Sequence, residues 1–148
     1  MAEFVGENSS KLDDKGRLIF PAEFRVQAAP FAGSRYVVRK NLYDNSLEMF
    51  QTEEWEKYAE QVKSRINLFS REGNRVWEEF NRGRALIEPD EKTGRMLIPK
   101  QLLEKINVQK DVVFVGMGFK IQIWAKEVWD ARAMSDEEAG ELFEKLLG

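Results

Sequence analysis

The chain contains no cysteine and no histidine. Without cysteine there is no disulfide framework, and the expected habitat is a reducing cytoplasm. Lacking both residue types excludes more. Zinc sites draw on thiolate and imidazole, and Ser-His and Cys-His nucleophile systems need an imidazole base. Carboxylate-only or lysine chemistry remains, so the expectation is a non-catalytic protein with no metal, no cofactor and no small-molecule substrate. Long apolar runs are missing as well. No stretch approaches the roughly 20 residues of a membrane span, and Met1-Ala2-Glu3-Phe4 lacks the basic and apolar regions of a signal peptide. The reading is a soluble protein without a membrane partner. An excess of positive charge is also lacking. A net charge of −3 and a pI near 5.3 argue against nucleic acid, whose affinity rests on phosphate electrostatics. Only a local basic patch, or many copies of one, could overcome that.

A chain of 148 residues fits one compact domain or two small ones sharing a core. Its 43% hydrophobic and 33% charged residues are enough to fill that core and solvate its surface. The dominant feature is a repetition. Asp13-Asp14-Lys15-Gly16-Arg17-Leu18-Ile19-Phe20-Pro21 returns as Glu91-Lys92-Thr93-Gly94-Arg95-Met96-Leu97-Ile98-Pro99. Each copy is an acid, two polar residues, a Gly-Arg pair, three apolar residues and a proline. Chance coincidence at average residue usage is on the order of one in a thousand.

The surrounding pattern repeats too. Phe4, Val5 and Leu12 mark a short strand before the first motif. Leu18 to Phe20 predict a strand buried on both faces. Pro21 suits a helix start, and the apolar spacing predicts a helix over 22–28 ended by Pro30 and Gly33. Tyr36 to Arg39 and Leu47 to Phe50 read as a hairpin around a 41–45 turn, with Leu47 and Met49 on one face. Thr52, as a hydroxyl cap ahead of two acids, starts a helix running to about 67, its apolar stripe extending to Phe69. A second helix is expected over 72–81, with Val76, Trp77 and Phe80 on one side. Ala85 to Ile87 restart the strand pattern, a helix follows Pro99 over 101–106, and 112–115 with 121–124 form the second hairpin. A helix over 126–133 carries Val128 and Trp129. Ser135 to Glu138 read as a capping box before a terminal helix with Ala139, Leu142, Phe143, Leu146 and Leu147 as its stripe.

The motifs lie 78 residues apart, but Trp55 and Trp129 lie only 74 apart. The first half therefore holds four extra residues, assigned to the 28–34 loop and the 41–45 turn. Halves of about 50 residues are too small to be comfortable alone, so they are expected to share a pseudo-twofold core.

A Gly-Arg turn is most often a plain hairpin turn with a solvated arginine. A turn needs Gly, however, and does not need Arg in both halves. Arginine presents a planar fork that reads guanine edges and grips phosphate, and a β-ribbon edge can enter a major groove. Arg17 and Arg95 are thus the candidate DNA contacts, on turns shaped by Gly16 and Gly94. Asp13, four residues before Arg17, is positioned to orient it, and Glu91 has the same spacing to Arg95. Asp90, one residue earlier, competes with Glu91 for that role. Lys11, Lys15 and Arg25 in one half, and Lys92 and Lys100 in the other, are candidate phosphate contacts. An acid–base enzyme built on Asp13, Asp14 or Glu91 is disfavoured, because acids beside arginine and lysine should have lowered rather than raised pKa values.

The stretch from Asp13 to Arg25, its second copy, and the hairpin ends Ser46–Trp55 and Lys120–Trp129 resemble the MraZ family over essentially the whole chain. The resemblance implies an α+β fold of tandem AbrB-like (swapped-hairpin) β-barrel modules around one core. It divides the chain into module 1 over 5–54, inter-module helices over 55–82, module 2 over 83–128 and a helical tail over 129–148. It further implies a cytoplasmic, nucleoid-associated transcriptional regulator. Its partners would be double-stranded DNA, as short direct repeats in the promoter of the division and cell-wall gene cluster, and itself as a ring-shaped homo-oligomer. Trp77 and Phe80 are candidates for the subunit interface, or equally for ordinary core. The alternative is an AbrB-like antitoxin or scaffold whose main partner is another protein.

Overall fold

A computed structural model describes residues 2–29 and 35–148. The helix stop expected at Pro30 and Gly33 lies outside them. The first half runs β1 (Glu7–Lys11), β2 (Arg17–Ile19), α1 (Ala22–Ala28), β3 (Tyr36–Lys40), β4 (Leu47–Gln51) and α2 (Thr52–Ser64). After α3 (Arg71–Asn81) the order recurs: β5 (Ala85–Ile87), β6 (Arg95–Leu97), α4 (Lys100–Lys105), β7 (Asp111–Gly116), β8 (Ile121–Ala125) and α5 (Lys126–Arg132). The chain closes with α6 (Asp136–Leu147).

Among the described residues, eight strands form two sheets. Six build an antiparallel sheet in the order β1-β7-β8-β4-β3-β5, and β2 pairs with β6 in a separate two-stranded ribbon. Exchanging β1 with β5, β3 with β7 and β4 with β8 returns the same order read backwards, which is the expected pseudo-twofold. Each half gives its first strand to the other half's hairpin. β1 pairs with β7, and β5 pairs with β3. The sheet ends at two edges, β1 and β5, so the architecture is α+β and tandem but is not the closed barrel expected. Its edge strands are short, five and three residues, which limits edge-to-edge pairing without closure.

The strand register locates the extra residues. Gln51 faces Tyr36 as Ala125 faces Val112, so Tyr36 corresponds to Val112 at a separation of 76, against 78 for the arginines and 74 for Leu47 with Ile121 and Gln51 with Ala125. Two residues are therefore added before β3 and two in the β3–β4 turn.

The sheet is buried on both faces, as period-two alternation allows. On one face Val38, Leu47, Met49, Phe114, Ile121 and Ile123 pack with Leu18, Phe20, Phe24, Met96, Ile98 and Leu102 from the ribbon and the two short helices. On the other face, Val37 and Phe50 meet Trp55 and Phe80 from α2 and α3, and Val113, Val115 and Trp124 meet Val128 and Trp129 from α5. Burying an aromatic such as Phe80 stabilises by about 1.5–3 kcal/mol. Phe80 is therefore core, stacked on Trp55 at 5.0 Å. Trp77 stacks on Phe80 at 5.4 Å while staying half-exposed in a groove of about 690 Å³ bordered by Ala59, Lys63, Arg84 and Leu86.

Several local expectations change. Leu18 and Phe20 are buried, but Ile19 between them is exposed, and Leu97 is exposed between Met96 and Ile98. The ribbon is thus covered on one face only. Gln51 rather than Thr52 is the N-cap of α2, with no side-chain cap. That helix ends at Ser64, leaving Phe69 fully exposed, because Ser70 restarts the chain as the cap of α3, its Oγ accepting from the Gly73 N–H at 2.9 Å. The Ser135 hydroxyl caps α6 as expected, accepting from the Glu138 N–H. Yet α6 buries none of its residues.

Candidate nucleic-acid interface

Both Gly-Arg turns feed the β2–β6 ribbon, and its register places the arginines. Arg17 faces Leu97, Leu18 faces Met96, and Ile19 faces Arg95. Directly opposed residues of an antiparallel pair share a face, and alternate residues along a strand share it too. Leu18 and Met96 point into the core, at 1% and 2% exposure. Arg17, Ile19, Arg95 and Leu97 therefore all lie on the outer face. The two arginines are diagonal neighbours, on the order of 7–8 Å apart at the backbone in such a ladder.

The first turn is built around Asp13. Its Oδ1 accepts from the N–H groups of Lys15 at 2.9 Å and Arg17 at 2.8 Å. Gly16 donates its N–H to the Asp13 carbonyl at 3.0 Å, and φ of +78° at Gly16 is a conformation that favours glycine. Asp13 Oδ2 accepts from Arg17 Nε at 2.9 Å. This is the orienting contact expected from the four-residue spacing. The backbone donor of Arg17 chiefly, reinforced by its guanidinium and the Lys15 N–H, outweighs the opposing effect of burial and holds the Asp13 carboxyl below its ordinary value.

The second turn departs from the sequence alignment. Asp90, not Glu91, repeats the part of Asp13. The Asp90 N–H donates to the Arg95 carbonyl at 2.8 Å, as the Asp13 N–H does to that of Arg17 at 2.9 Å. Asp90 Oδ1 accepts from the N–H groups of Lys92 and Thr93, each at 2.9 Å. Those donors, Thr93 first, depress its carboxyl pKa. Glu91 is exposed and makes no hydrogen bond or ion pair among the described residues, so its orienting assignment is corrected. The cause is one inserted residue: three residues separate Asp13 from Arg17, and four separate Asp90 from Arg95. The insertion brings the Thr93 hydroxyl to the Arg95 N–H at 3.2 Å and moves the carboxylate beyond pairing distance of the guanidinium. Arg95 has no ion-pair partner among the described residues.

The turns also differ in their surroundings. Gly16 stands free, whereas a Cβ at Gly94 would meet the Phe20 carbonyl oxygen at 3.0 Å and the Arg25 guanidinium carbon at 3.1 Å. Arg25, from the first half, therefore packs over the second half's turn, with its Nε buried and unpartnered. Lys15 and Lys92 are exposed on the turns. Lys11 ends β1 opposite Asp111. Lys100 opens α4, 3.9 Å from Glu104. Neither of these two bonds to a turn residue among those described.

Thr93, Ile19 and Leu97 are the residues of the turns and ribbon that motif reading missed, whereas Asp90 was one of the two acids it left in competition. Period-two alternation from the buried Leu18 and Met96 was the available signal for the last two. Among the described residues no cluster suited to a metal ion is found, and no helix is long and apolar enough to cross a membrane.

The MraZ protein family model, described as antitoxin-like, matches this chain twice, over residues 4–76 and 81–145. The chain belongs to the MraZ family. It is similar to the protein named transcriptional regulator MraZ of Bacteroides thetaiotaomicron, with 32% identity over 147 residues, 99% of this chain and 94% of that one. The proteins of that name from Caldanaerobacter subterraneus subsp. tengcongensis and Thermoanaerobacter pseudethanolicus are each 35% identical. They cover 90% and 96% of this chain, and 88% and 97% of their own. The two matched copies of the MraZ family model coincide with the two structural repeats.

Proposed function

We propose that the chain is a sequence-specific transcriptional regulator that binds double-stranded DNA through the outer face of the β2–β6 ribbon. The carrying observation is that Arg17 and Arg95, from opposite halves, share that face. A major groove about 12 Å wide admits a two-stranded ribbon, and an arginine fork matches the guanine O6 and N7 acceptors. Lys15 and Lys92 on the turns, with Lys11, Arg25 and Lys100 around them, supply phosphate contacts. The modules at 5–54 and 83–128 face DNA, while 55–82 and 129–148 serve assembly. Regulators of this name in the relatives, and the absence of imidazole and thiol chemistry from the chain, favour a non-catalytic role in the cytoplasm and nucleoid. The target is short direct repeats in the promoter of the division and cell-wall gene cluster, including the protein's own gene.

An acidic chain gains little phosphate affinity as a monomer. Several ribbons on one face of a ring-shaped homo-oligomer would add weak contacts into avidity. The exposed stripe Leu142, Phe143, Leu146 and Leu147 on α6 supports self-association.

Selection of bound duplexes from a random pool, followed by mobility-shift titration, tests the reading. The wild-type chain should enrich a defined sequence and lose affinity steeply with salt. Arg17→Ala and Arg95→Ala should each remove the sequence preference with the fold intact. Undiminished specific binding by both variants sinks the assignment of the ribbon. A flat salt response points instead to a protein partner, the antitoxin-like alternative.

A further inference from the structure

Two apolar residues share the outer ribbon face with the arginines, and nothing in the fold requires them. Ile19 is 51% exposed and Leu97 62%, and neither joins any of the three hydrophobic clusters. Single exposed aliphatics are ordinary on a protein surface. These two are not placed singly. Leu97 follows Ile19 by 78 residues, the separation of Arg95 from Arg17, so the apolar position is duplicated together with the cationic one. Each aliphatic stands directly opposite the arginine of the other strand. The outer face thus carries an alternating square of two guanidinium groups and two aliphatic side chains.

Two such side chains expose far too little area for a stable protein interface, which buries roughly 800 Å² per partner. They suit a surface whose polar groups are interrupted by one small apolar feature. The floor of a DNA major groove is such a surface, and its apolar feature is the C5-methyl group of thymine. Resting on the DNA-binding reading above, we propose that Ile19 and Leu97 are specificity-determining residues that seat against thymine methyl groups beside the bases read by Arg95 and Arg17. The diagonal placement makes each half-ribbon read one guanine and one neighbouring thymine as a unit. The same contact disfavours cytosine, which lacks the methyl group.

The test uses the full-length chain and the duplex enriched from the random pool, measured by fluorescence anisotropy. Each thymidine in that duplex is replaced in turn by deoxyuridine, which removes only the methyl group. Wild-type affinity should fall about fourfold at the contacted thymidines, as expected for one methyl-sized apolar contact. Ile19→Ala and Leu97→Ala should each weaken binding to the thymidine duplex by a similar factor and become insensitive to deoxyuridine at one of those positions. Indifference of the wild type to every deoxyuridine substitution overturns the proposal, and that measurement needs no variant to fold. Equal losses by the alanine variants on thymidine and deoxyuridine duplexes also overturn it, assigning the aliphatics to support of the arginine stems. If Arg17→Ala still abolishes binding in those cases, the DNA reading survives without this inference. If the wild type enriches no sequence at all, the DNA reading itself fails.

Discussion

Arg17 is tied to Asp13 by one of its three guanidinium nitrogens, Nε to Oδ2 at 2.9 Å, with both side chains about one-third exposed. That choice of nitrogen leaves the two terminal amino groups of the fork unengaged among the described residues. Asp13 simultaneously ties down the backbone N–H groups of Lys15 and Arg17. The aspartate therefore sets the direction of the arginine without consuming the atoms that would read a base edge.

A lysine cannot reproduce this. Arg17→Lys keeps the charge but loses both the Nε donor and the planar fork. Specific DNA affinity should fall about tenfold or more, while affinity for unrelated duplex DNA falls less than threefold, since a point charge still serves a phosphate. Parallel titrations of the selected and a scrambled duplex measure the ratio.

The second turn gives a discrimination between adjacent acids. Asp90→Ala should disorder the turn and lower DNA affinity, whereas Glu91→Ala should leave both unchanged. Asp13 and Asp90 should titrate below the ordinary aspartate value of 3.8, which carboxyl-carbon NMR against pH would show. The folded chain is then the weaker proton binder at these two groups. Their stabilising contribution is fully present above the unfolded pKa near 3.8 and is lost as pH falls through the lower folded values. Turn order monitored at Gly16 and Gly94 should follow that acid limb.

Burial along the ribbon separates neighbours sharply. Leu18→Ala removes a core side chain and should destabilise the protein by about 2–5 kcal/mol. Ile19→Ala, one residue on, should change stability by less than about 1 kcal/mol. Chemical denaturation of the two variants checks this. Equal losses would mean that the outer face of the ribbon is covered.

The terminal helix offers a change that leaves the fold alone. Since α6 buries none of its residues, replacing Phe143 and Leu146 together by Glu should leave circular dichroism and thermal unfolding of the subunit intact. Light scattering should then report dissociation of the proposed ring, and DNA affinity should drop about 100-fold or more through lost avidity. A wild-type chain that is monomeric at micromolar concentration would remove the ring from the proposal.

Much of the architecture was legible because local chemistry specified it. The helix after Pro21, both hairpins, the Ser135 cap and the repeat itself follow from proline, period-two alternation and hydroxyl spacing. Burial of polar strand residues was not legible. Arg39 looks solvent-facing in the sequence, yet it is 2% exposed, under Phe80 with its guanidinium 4.8 Å from the ring. Desolvation chiefly lowers its pKa. Glu48 is held similarly by Asn41 at 3.0 Å and by Lys120 of the other half at 2.9 Å. Those placements depend on α2, α3 and the β7–β8 turn arriving from elsewhere in the chain.

The sequence by itself determined the two Gly-Arg turns, because glycine's left-handed φ and the aspartate's local acceptors act within a few residues. It also determined the duplicated order of elements. Only the tertiary structure decided that β1 completes the second half's hairpin and β5 the first half's, since strand pairing depends on long-range burial rather than local pattern. That exchange sets β2 against β6 and turns two separate motifs into one surface. With the ribbon fixed, Leu18 and Met96 fill the shared core, and alternation leaves both arginines outside on the same face.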